Sequence, residues 1–143
     1  MSNTARPRFH LAFPVHDLTA ARSFYGDLLG CSEGREDPER WIDFDFFGHQ
    51  IVAHLAPEEC GGAVASDVDG KKVPVRHFGL LMDWVDWKNL AEKLKTDGAD
   101  FLIEPYVRFE GQAGEQGTFF VIDPSGNALE FKSFRNDDQI FER

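Results

Sequence analysis

Two histidines and one glutamate occupy matching places in a chain that reads as one module written twice. His10 opens the strand-like run 9–13 (FHLAF), and His77 opens the run 76–80 (RHFGL). Glu130 lies in the strand-like segment that closes the second copy. Two imidazoles and one carboxylate are the ligand set of a facial metal triad, which leaves coordination positions open for a substrate. The three residues therefore predict a metal-dependent enzyme that acts on a small molecule.

The alternation of side chains along each strand places the three residues opposite an apolar stripe. Successive side chains of a β-strand point to opposite faces of the sheet. On its own face, each candidate ligand has a small residue two positions away: Ala12 for His10, Gly79 for His77 and Ala128 for Glu130. Small neighbours leave room for a metal and a bound molecule, and a curved sheet with this face concave would bring the three together. Neutral imidazole and carboxylate together suit Fe(II), Mn(II), Ni(II), Co(II) or Zn(II).

An amphipathic helix is predicted after the first strand of each copy. In the first copy, Asp17 has the side chain of a helix N-cap and Gly30 ends the helix. In the second copy, either Asp83 or Asp86 caps the helix and Gly98 ends it. The apolar residues recur at helical spacing: Leu18, Ala21, Phe24, Tyr25, Leu28 and Leu29 in the first helix, and Trp87, Leu90, Ala91 and Leu94 in the second.

Several short strands complete each copy, and a tight turn joins the last two. The turn 123–126 (DPSG) has proline at its second position and predicts an antiparallel pair formed by 118–122 and 127–134. The segment after the first copy is rich in Gly, Ala, Asp and Lys and is typical of a linker. The chain is therefore predicted to be one domain over 1–143, with module one at about 8–56, the linker at about 57–73 and module two at about 74–134.

Composition limits the classes of function. The chain has 143 residues, of which 42% are hydrophobic, and it carries a net charge of −10. This composition predicts a packed globular domain, and the acidic surface disfavours nucleic acids and anionic membranes as partners. No signal peptide and no apolar run of about 20 residues is present, so a cytoplasmic protein with reduced Cys31 and Cys60 is expected.

Three stretches resemble the vicinal oxygen chelate superfamily, which includes glyoxalase I, extradiol dioxygenases, fosfomycin-resistance transferases and bleomycin-resistance proteins. They are 10–18 (HLAFPVHDL), 23–30 (SFYGDLLG) and 123–131 (DPSGNALEF). The resemblance covers about residues 8–134. These signatures are specific for the superfamily and not for one reaction within it.

The resemblance implies an α+β fold in which two βαβββ modules form an eight-stranded, half-open cup around a metal, with the helices on the outer face. Carried over by position, the ligands of the one divalent metal are His10, His77 and Glu130. Such proteins often form homodimers, and in some of them the site draws ligands from both chains. Whether this site forms within one chain or across a dimer stays open.

The chain departs from the superfamily's best-known enzymes at two positions. Glyoxalase I-like enzymes use a fourth ligand, commonly a glutamate, where this chain has Val52, which cannot bind a metal. His54 has the same strand parity and is a candidate substitute or an ordinary surface histidine. Extradiol dioxygenases and fosfomycin transferases carry a tyrosine where this chain has Phe120. Val52 and Phe120 are therefore expected to line the substrate pocket.

A polar loop around residues 105–117 is the best remaining indication of specificity. Arg108 could bind a substrate carboxylate or phosphate through paired hydrogen bonds. Glu110 or Glu115 could act as a general base, and Tyr106 could line the pocket and donate a proton. The alternative interpretation is a solvated, charged loop.

Three functional classes follow. The first is a dioxygenase that chelates a substrate through two neighbouring oxygens, for which Fe(II) or Mn(II) is favoured because one ligand of the glyoxalase set is missing. The second is a glyoxalase I-like isomerase or lyase that abstracts a proton next to a carbonyl, with Ni(II), Co(II) or Zn(II) as its metal. The third is a metal-free protein that sequesters a ligand. The complete triad argues for the first two.

Overall fold

The computed structural model describes residues 6–61 and 64–143 and shows an α+β fold. Along the chain, one βαβββ module precedes a β-hairpin and a second βαβββ module follows it. The strands are β1 (His10–Val15), β2 (Ser32–Asp37), β3 (Trp41–Phe46), β4 (His49–Leu55), β5 (Val64–Val68), β6 (Lys71–Val75), β7 (Phe78–Leu81), β8 (Phe101–Arg108), β9 (Gln116–Ile122) and β10 (Ala128–Phe134). The helices are α1 (Leu18–Ala21), which continues as a π-helical segment (Arg22–Leu28), and α2 (Trp84–Thr96). Short 3₁₀ turns cover Pro57–Glu59 and Asp137–Gln139.

The two modules have the same strand topology. Their four-stranded sheets have the orders β1-β4-β3-β2 and β7-β10-β9-β8. In each sheet the first strand of the module pairs in parallel with the last, and the other pairs are antiparallel. The predicted α+β class and the two βαβββ modules are confirmed, and the assembly of eight strands into one cup stays a prediction.

Contacts between residues divide the chain into two compact units, with the boundary between Cys60 and Gly61. Unit one contains the first sheet and its helix, and unit two contains the hairpin, the second sheet and α2. Each unit buries its own aromatic core. In unit one, Tyr25 is fully buried against Phe13, Phe24 and Phe44. In unit two, Phe119 stacks on Phe131 with ring centroids 5.4 Å apart, and both rings are fully buried.

The structure confirms the local helix signals. The Asp17 carboxylate accepts hydrogen bonds from the backbone N–H groups of Thr19 and Ala20 at the start of α1. Asp83 occupies the N-cap position of α2 without a side-chain hydrogen bond, so Asp86 lies inside the helix. Gly30 and Gly98 follow the two helices with φ angles of 76° and 77°, which glycine adopts without strain.

The hairpin β5–β6 occupies most of the segment that the sequence assigned to a linker. Its turn is Asp69-Gly70, whose φ angles are 52° and 74°. Positive φ at both central residues is the geometry of a tight hairpin turn, for which Asp-Gly is a favoured pair. Buried Val73 packs with Phe120 and Ile103 of the second sheet. The hairpin is therefore a packed part of unit two, because buried Val73 and partly buried Val68 belong to this apolar cluster.

No helix in the described ranges 6–61 and 64–143 is long and apolar enough to cross a membrane.

Candidate functional site

His77 and Glu130 meet on the open face of the second sheet. His77 immediately precedes β7, and Glu130 lies in the neighbouring strand β10, opposite Gly79. The His77 Nε2 atom is 3.3 Å from Glu130 Oε1, and the two side chains are 29% and 17% exposed. The residues that flank Glu130, Leu129 and Phe131, are fully buried on the other face. Strand parity therefore presents the glutamate to the open face as the sequence predicted.

Two further contacts orient this pair. The Thr118 hydroxyl donates a hydrogen bond of 2.5 Å to Glu130 Oε2, which leaves Oε1 directed at His77. His77 Nδ1 is 2.6 Å from the carbonyl oxygen of Pro74. A carbonyl oxygen can only accept, so Nδ1 carries a proton, and whenever the ring is neutral Nε2 keeps its lone pair. His77 Nε2 and Glu130 Oε1, the two atoms that could bind a metal, thus lie next to each other.

Gly79 and Phe120 shape the surroundings of Glu130. A Cβ atom at Gly79 would overlap the backbone carbonyl of Glu130, so only glycine fits there. Phe120 is opposite Glu130 on the other neighbouring strand, and its ring lies edge-on to the His77 ring at a centroid distance of 5.0 Å. Only 3% of Phe120 is exposed, and it belongs to the apolar cluster under the hairpin. The site therefore has an apolar wall where a tyrosine would have added a hydroxyl.

The geometry of His77 and Glu130 fits two positions of a divalent metal. Two donor atoms at about 2.1 Å from one metal, at right angles to each other, are about 3.0 Å apart. The observed 3.3 Å between Nε2 and Oε1 is close to that value. In the part of the chain that the structure describes, no group of three or more His, Cys, Asp or Glu side chains is arranged to hold a metal. His77 and Glu130 thus have a spacing that suits two ligands of the predicted triad, and their binding of a metal stays a prediction.

His10 lies in unit one, at the start of β1. Its Nδ1 atom is 2.8 Å from Oε1 of Gln50, and the Gln50 Nε2 amide donates a 3.2 Å hydrogen bond to Asp43. This series of contacts runs across three neighbouring strands on the open face of the first sheet. The binding of His10 to the same metal as His77 and Glu130 stays a prediction.

The strand register supports the predicted correspondence between the two copies. Val52 is opposite Ala12 in the first sheet, as Glu130 is opposite Gly79 in the second. Val52 is thus the counterpart of Glu130, and it is 7% exposed. His54, two residues further along β4, is exposed on the same face, opposite Pro14. Within unit one, the described hydrogen bond of the His10 side chain is to Gln50 and not to Val52 or His54.

An open groove of about 700 Å³ lies on the first sheet beside these contacts. Gln50 and Asp43 line it together with Trp41 and Arg35. Its volume lies within the range of small-molecule sites. An aromatic ring and a guanidinium group thus line the same groove as Gln50, the hydrogen-bond partner of His10.

The structure places Arg108 and Tyr106 in a polar cluster with Asp69 at the tip of the hairpin. Arg108 Nε is 2.5 Å from the Asp69 carboxylate, and the Tyr106 hydroxyl donates a 3.1 Å hydrogen bond to it. The hydrogen bond from Arg108 holds the pKa of Asp69 below its usual value. Burial, and then the hydrogen bond to Asp69, raise the pKa of Tyr106. The guanidinium group therefore already pairs with a carboxylate of the same unit.

The two glutamates of the loop differ in their surroundings. Glu110 is exposed in the turn after β8. Glu115 is 19% exposed on its side chain and lies 3.7 Å from Arg135 Nε. Neither is placed beside His77 or Glu130 by a contact in unit two.

Sequence reasoning missed four residues that hold the candidate ligands or the hairpin: Asp43, Gln50, Asp69 and Thr118. Strand parity could have identified Asp43 and Gln50 as residues of the open face. The Asp69-Gly70 pair between alternating valines was a usable hairpin signal. Nothing local marks Thr118, because its role depends on the pairing of β9 with β10.

Comparisons with known proteins agree with this architecture. A family model described as the glyoxalase/bleomycin resistance protein/dioxygenase superfamily matches residues 9–131. Among solved structures, the chain is similar to a glyoxalase/bleomycin resistance protein/dioxygenase from Alicyclobacillus acidocaldarius. The two are 38% identical over 94% of this chain and 96% of that chain, with a TM-score of 0.80.

Two other solved structures share the fold at lower identity. One is the fosfomycin resistance protein FosX from Listeria monocytogenes, which is 14% identical over 91% of this chain and 94% of that chain, with a TM-score of 0.66. The other is a lactoylglutathione lyase from Agrobacterium tumefaciens, which is 17% identical over 92% of this chain and 96% of that chain, with a TM-score of 0.63. No curated protein matches the chain at a significant level.

Proposed function

The chain belongs to the glyoxalase/bleomycin resistance protein/dioxygenase superfamily, and from this membership we propose that it is a metal-dependent enzyme acting on a small molecule. His10, His77 and Glu130 are its protein ligands for one divalent metal. Members of the superfamily generally use such a metal. The reaction that we propose is a dioxygenase reaction on a substrate bound through two neighbouring oxygens.

The observation that carries the proposal is the pairing of His77 Nε2 with Glu130 Oε1 at 3.3 Å. Each atom is oriented by a partner on its far side, the Pro74 carbonyl for His77 and the Thr118 hydroxyl for Glu130. Ligands whose orientation is fixed by such contacts bind a metal more tightly than free side chains do.

The dioxygenase reaction is favoured over the glyoxalase reaction by Val52. Its side chain occupies the counterpart position of Glu130 and cannot bind a metal. Three protein ligands leave more positions open for a chelating substrate and O₂ than four do. The metal would serve as a Lewis acid and as a template that orients the substrate.

The other residues of the chain supply binding and orientation. Phe120 presents an apolar wall next to His77, which limits the access of water to that side of the site. Arg108, the last residue of β8, and Glu110 in the following turn are proposed to assist. Because Nε and Nη2 of Arg108 both face Asp69, its contact with a substrate would use Nη1.

A second candidate function is proton abstraction next to a carbonyl, as in a glyoxalase I-like isomerase or lyase. The observation in its favour is His54, an exposed histidine on the same face as Val52 and two residues from it. A histidine there could act as the general base. This reaction would consume no O₂, so oxygen uptake separates the two candidates.

The test is metal binding by the purified protein and by its His77→Ala and Glu130→Ala variants. We expect one divalent metal per chain in the parent protein, by elemental mass spectrometry after Fe(II) loading. We expect it to be lost in both variants with an unchanged circular dichroism spectrum, because both side chains point away from the core. His49→Ala is the matched control, since His49 opens β4, where it accepts a hydrogen bond from Phe9 N, and this variant should keep full occupancy.

The outcomes separate the classes. Nitric oxide uptake by the Fe(II)-loaded protein, read by EPR, would support open coordination positions and the dioxygenase reaction. Tight binding of Ni(II), Co(II) or Zn(II) without nitric oxide uptake would favour the isomerase or lyase. Full occupancy in either ligand variant would make the ligand assignment wrong. No metal binding at all would leave the sequestering protein as the better description.

A further inference from the structure

We propose that Asp43 and Gln50 are positioning residues that set the tautomer of His10. Together they hold the proton on Nδ1 and keep Nε2 as the atom that binds the metal. The inference rests on the proposed function for its purpose, and the state of His10 that it describes can be measured without metal. Neither Asp43 nor Gln50 belongs to the predicted ligand set.

The chemistry of the three groups determines the direction of each hydrogen bond. An ionised carboxylate can only accept, so Asp43 takes a hydrogen from the Gln50 amide at 3.2 Å. That bond turns the amide so that its oxygen, Oε1, lies 2.8 Å from His10 Nδ1. An amide oxygen also only accepts, so Nδ1 must carry the proton. The remaining ring nitrogen, Nε2, then keeps the lone pair that a metal requires.

The sheet register brings the three residues together. His10 is directly opposite Gln50 in the parallel pair β1–β4, and Asp43 lies on β3, the antiparallel neighbour of β4. The residues on either side of Asp43 in β3, Ile42 and Phe44, are buried on the opposite face. A shift of one residue in either pairing would move Gln50 or Asp43 to the buried face. The contacts from His10 to Gln50 and from Gln50 to Asp43 therefore depend on the same strand register that places His10 on the open face.

His77 provides an independent parallel in unit two. Its Nδ1 atom also lies next to an atom that can only accept, the Pro74 carbonyl oxygen, at 2.6 Å. The two copies thus reach the same tautomer with different acceptors, a backbone carbonyl in one and a glutamine oriented by an aspartate in the other. A backbone carbonyl cannot rotate, whereas a glutamine amide can. The proposal is therefore that Asp43 supplies the orientation that Gln50 alone would lack.

Replacing Asp43 with asparagine tests this directly. Asparagine has both a donor and an acceptor, so it no longer dictates the orientation of the Gln50 amide. The amide can then present its NH₂ group to His10, which selects the tautomer with the proton on Nε2. We expect the affinity of the protein for Fe(II) to fall about 10- to 100-fold, the usual effect of losing a partner of a metal-bound histidine.

The main measurement is the ¹⁵N NMR spectrum of histidine-labelled, metal-free protein at roughly pH 9, well above the ordinary pKa of histidine. The two ring nitrogens have different shifts in the two tautomers, and the spectrum of His10→Ala identifies the His10 signals. The parent should carry the proton on Nδ1, and Asp43→Asn should move population to Nε2. The double variant Asp43→Asn with Gln50→Glu should restore the parent pattern, because a carboxylate at position 50 only accepts.

Asp45→Asn is the matched control. Asp45 lies on the same strand, and its side chain accepts a hydrogen bond from the backbone N–H of Gly48, so the His10 signals should not change. An Asp43→Asn spectrum identical to the parent spectrum would overturn the proposal even if the metal binds. A shifted tautomer in a protein that binds no metal would support the positioning role and would reject the proposed function instead.

Discussion

The two carboxylate oxygens of Glu130 have different partners. Oε2 accepts the Thr118 hydroxyl at 2.5 Å, and Oε1 faces His77 Nε2 at 3.3 Å. Thr118 is only 3% exposed, so its hydroxyl has little access to water and a strong reason to donate to the carboxylate. The division leaves one oxygen of Glu130 for a metal.

Replacing Thr118 with valine should weaken metal binding more than it weakens the fold. Valine keeps the shape of the side chain but leaves Oε2 without its donor, so the glutamate can rotate. We expect a loss of about 10- to 100-fold in metal affinity and of about 1–2 kcal/mol in the free energy of unfolding. Titration with Fe(II) or Co(II) and urea denaturation measure the two quantities. Thr118→Ser, which keeps the hydroxyl, should retain the affinity, and an equal loss in both variants would contradict this role.

Cysteine can act as a nucleophile, but the surroundings of Cys31 lower the reactivity of its thiol. The thiol is buried, and burial together with the nearby Asp45 carboxylate raises its pKa to about 12. Nucleophilic attack requires the thiolate, which is scarce at neutral pH for such a group. The structure thus agrees with a site built from imidazole and carboxylate and not from a thiol.

At the scale of elements, the two copies differ most in their helices. In the first copy only four residues of α1 are α-helical before the π-helical segment Arg22–Leu28, whereas α2 has thirteen residues. A short helix gains little from its own hydrogen bonds and depends more on its cap and on packing. The Asp17 side chain accepts two backbone hydrogen bonds at the start of α1, and the Asp83 side chain accepts none at the start of α2.

These caps give a matched pair of variants. Asp17→Ala should lower the free energy of unfolding by about 1 kcal/mol, because two backbone N–H groups lose their acceptor. Asp83→Ala should have a smaller effect, since no side-chain hydrogen bond is lost there. Urea denaturation followed by circular dichroism compares the two. Equal losses would show that the side-chain bonds of Asp17 do not stabilise α1.

The hairpin β5–β6 is the element that distinguishes unit two from a bare βαβββ module. Its Pro74 carbonyl faces the Nδ1 atom of His77, and Asp69 at its turn pairs with Arg108 of β8. A segment between the modules therefore orients a candidate ligand.

At the scale of the whole molecule, the proposed metal site depends on which chain supplies His10. We propose a homodimer, in line with the superfamily resemblance, in which His10 reaches His77 and Glu130 either within one chain or from the partner chain. The net charge of −10 keeps such an assembly soluble at neutral pH. The two arrangements predict different behaviour when two inactive variants are mixed.

Mixing His10→Ala with Glu130→Ala distinguishes the arrangements. If each site takes His10 from the partner chain, a mixed dimer has one site with all three ligands and one site with His77 alone. Unfolding and refolding an equimolar mixture should then recover about one quarter of the parent metal content, because half of the dimers are mixed and each has one of two sites intact. If all ligands come from one chain, the mixture should bind no more metal than either variant alone. Sedimentation velocity of the same samples establishes the dimer.

Much of the fold could be predicted from the sequence because the signals are local. The N-cap of Asp17 and the glycines at positions 30 and 98 depend only on the backbone within a few residues. Strand parity likewise follows from the geometry of one strand, so the open-face position of Glu130 was predictable. The hairpin was missed because the Asp69-Gly70 signal lay in a polar stretch that was interpreted by its composition.

The sequence by itself determined the element types, the repeat, and which residues share a face with His10, His77 and Glu130. Only the tertiary structure decided that Gln50 contacts His10 and Asp43 contacts Gln50. It also decided that Thr118 donates a hydrogen bond to Glu130 and that Asp69 pairs with Arg108. The physical reason is the range of the interactions. Propensity, capping and alternation act over a few residues, whereas a side chain's hydrogen-bond partner depends on the register between strands that are distant in sequence.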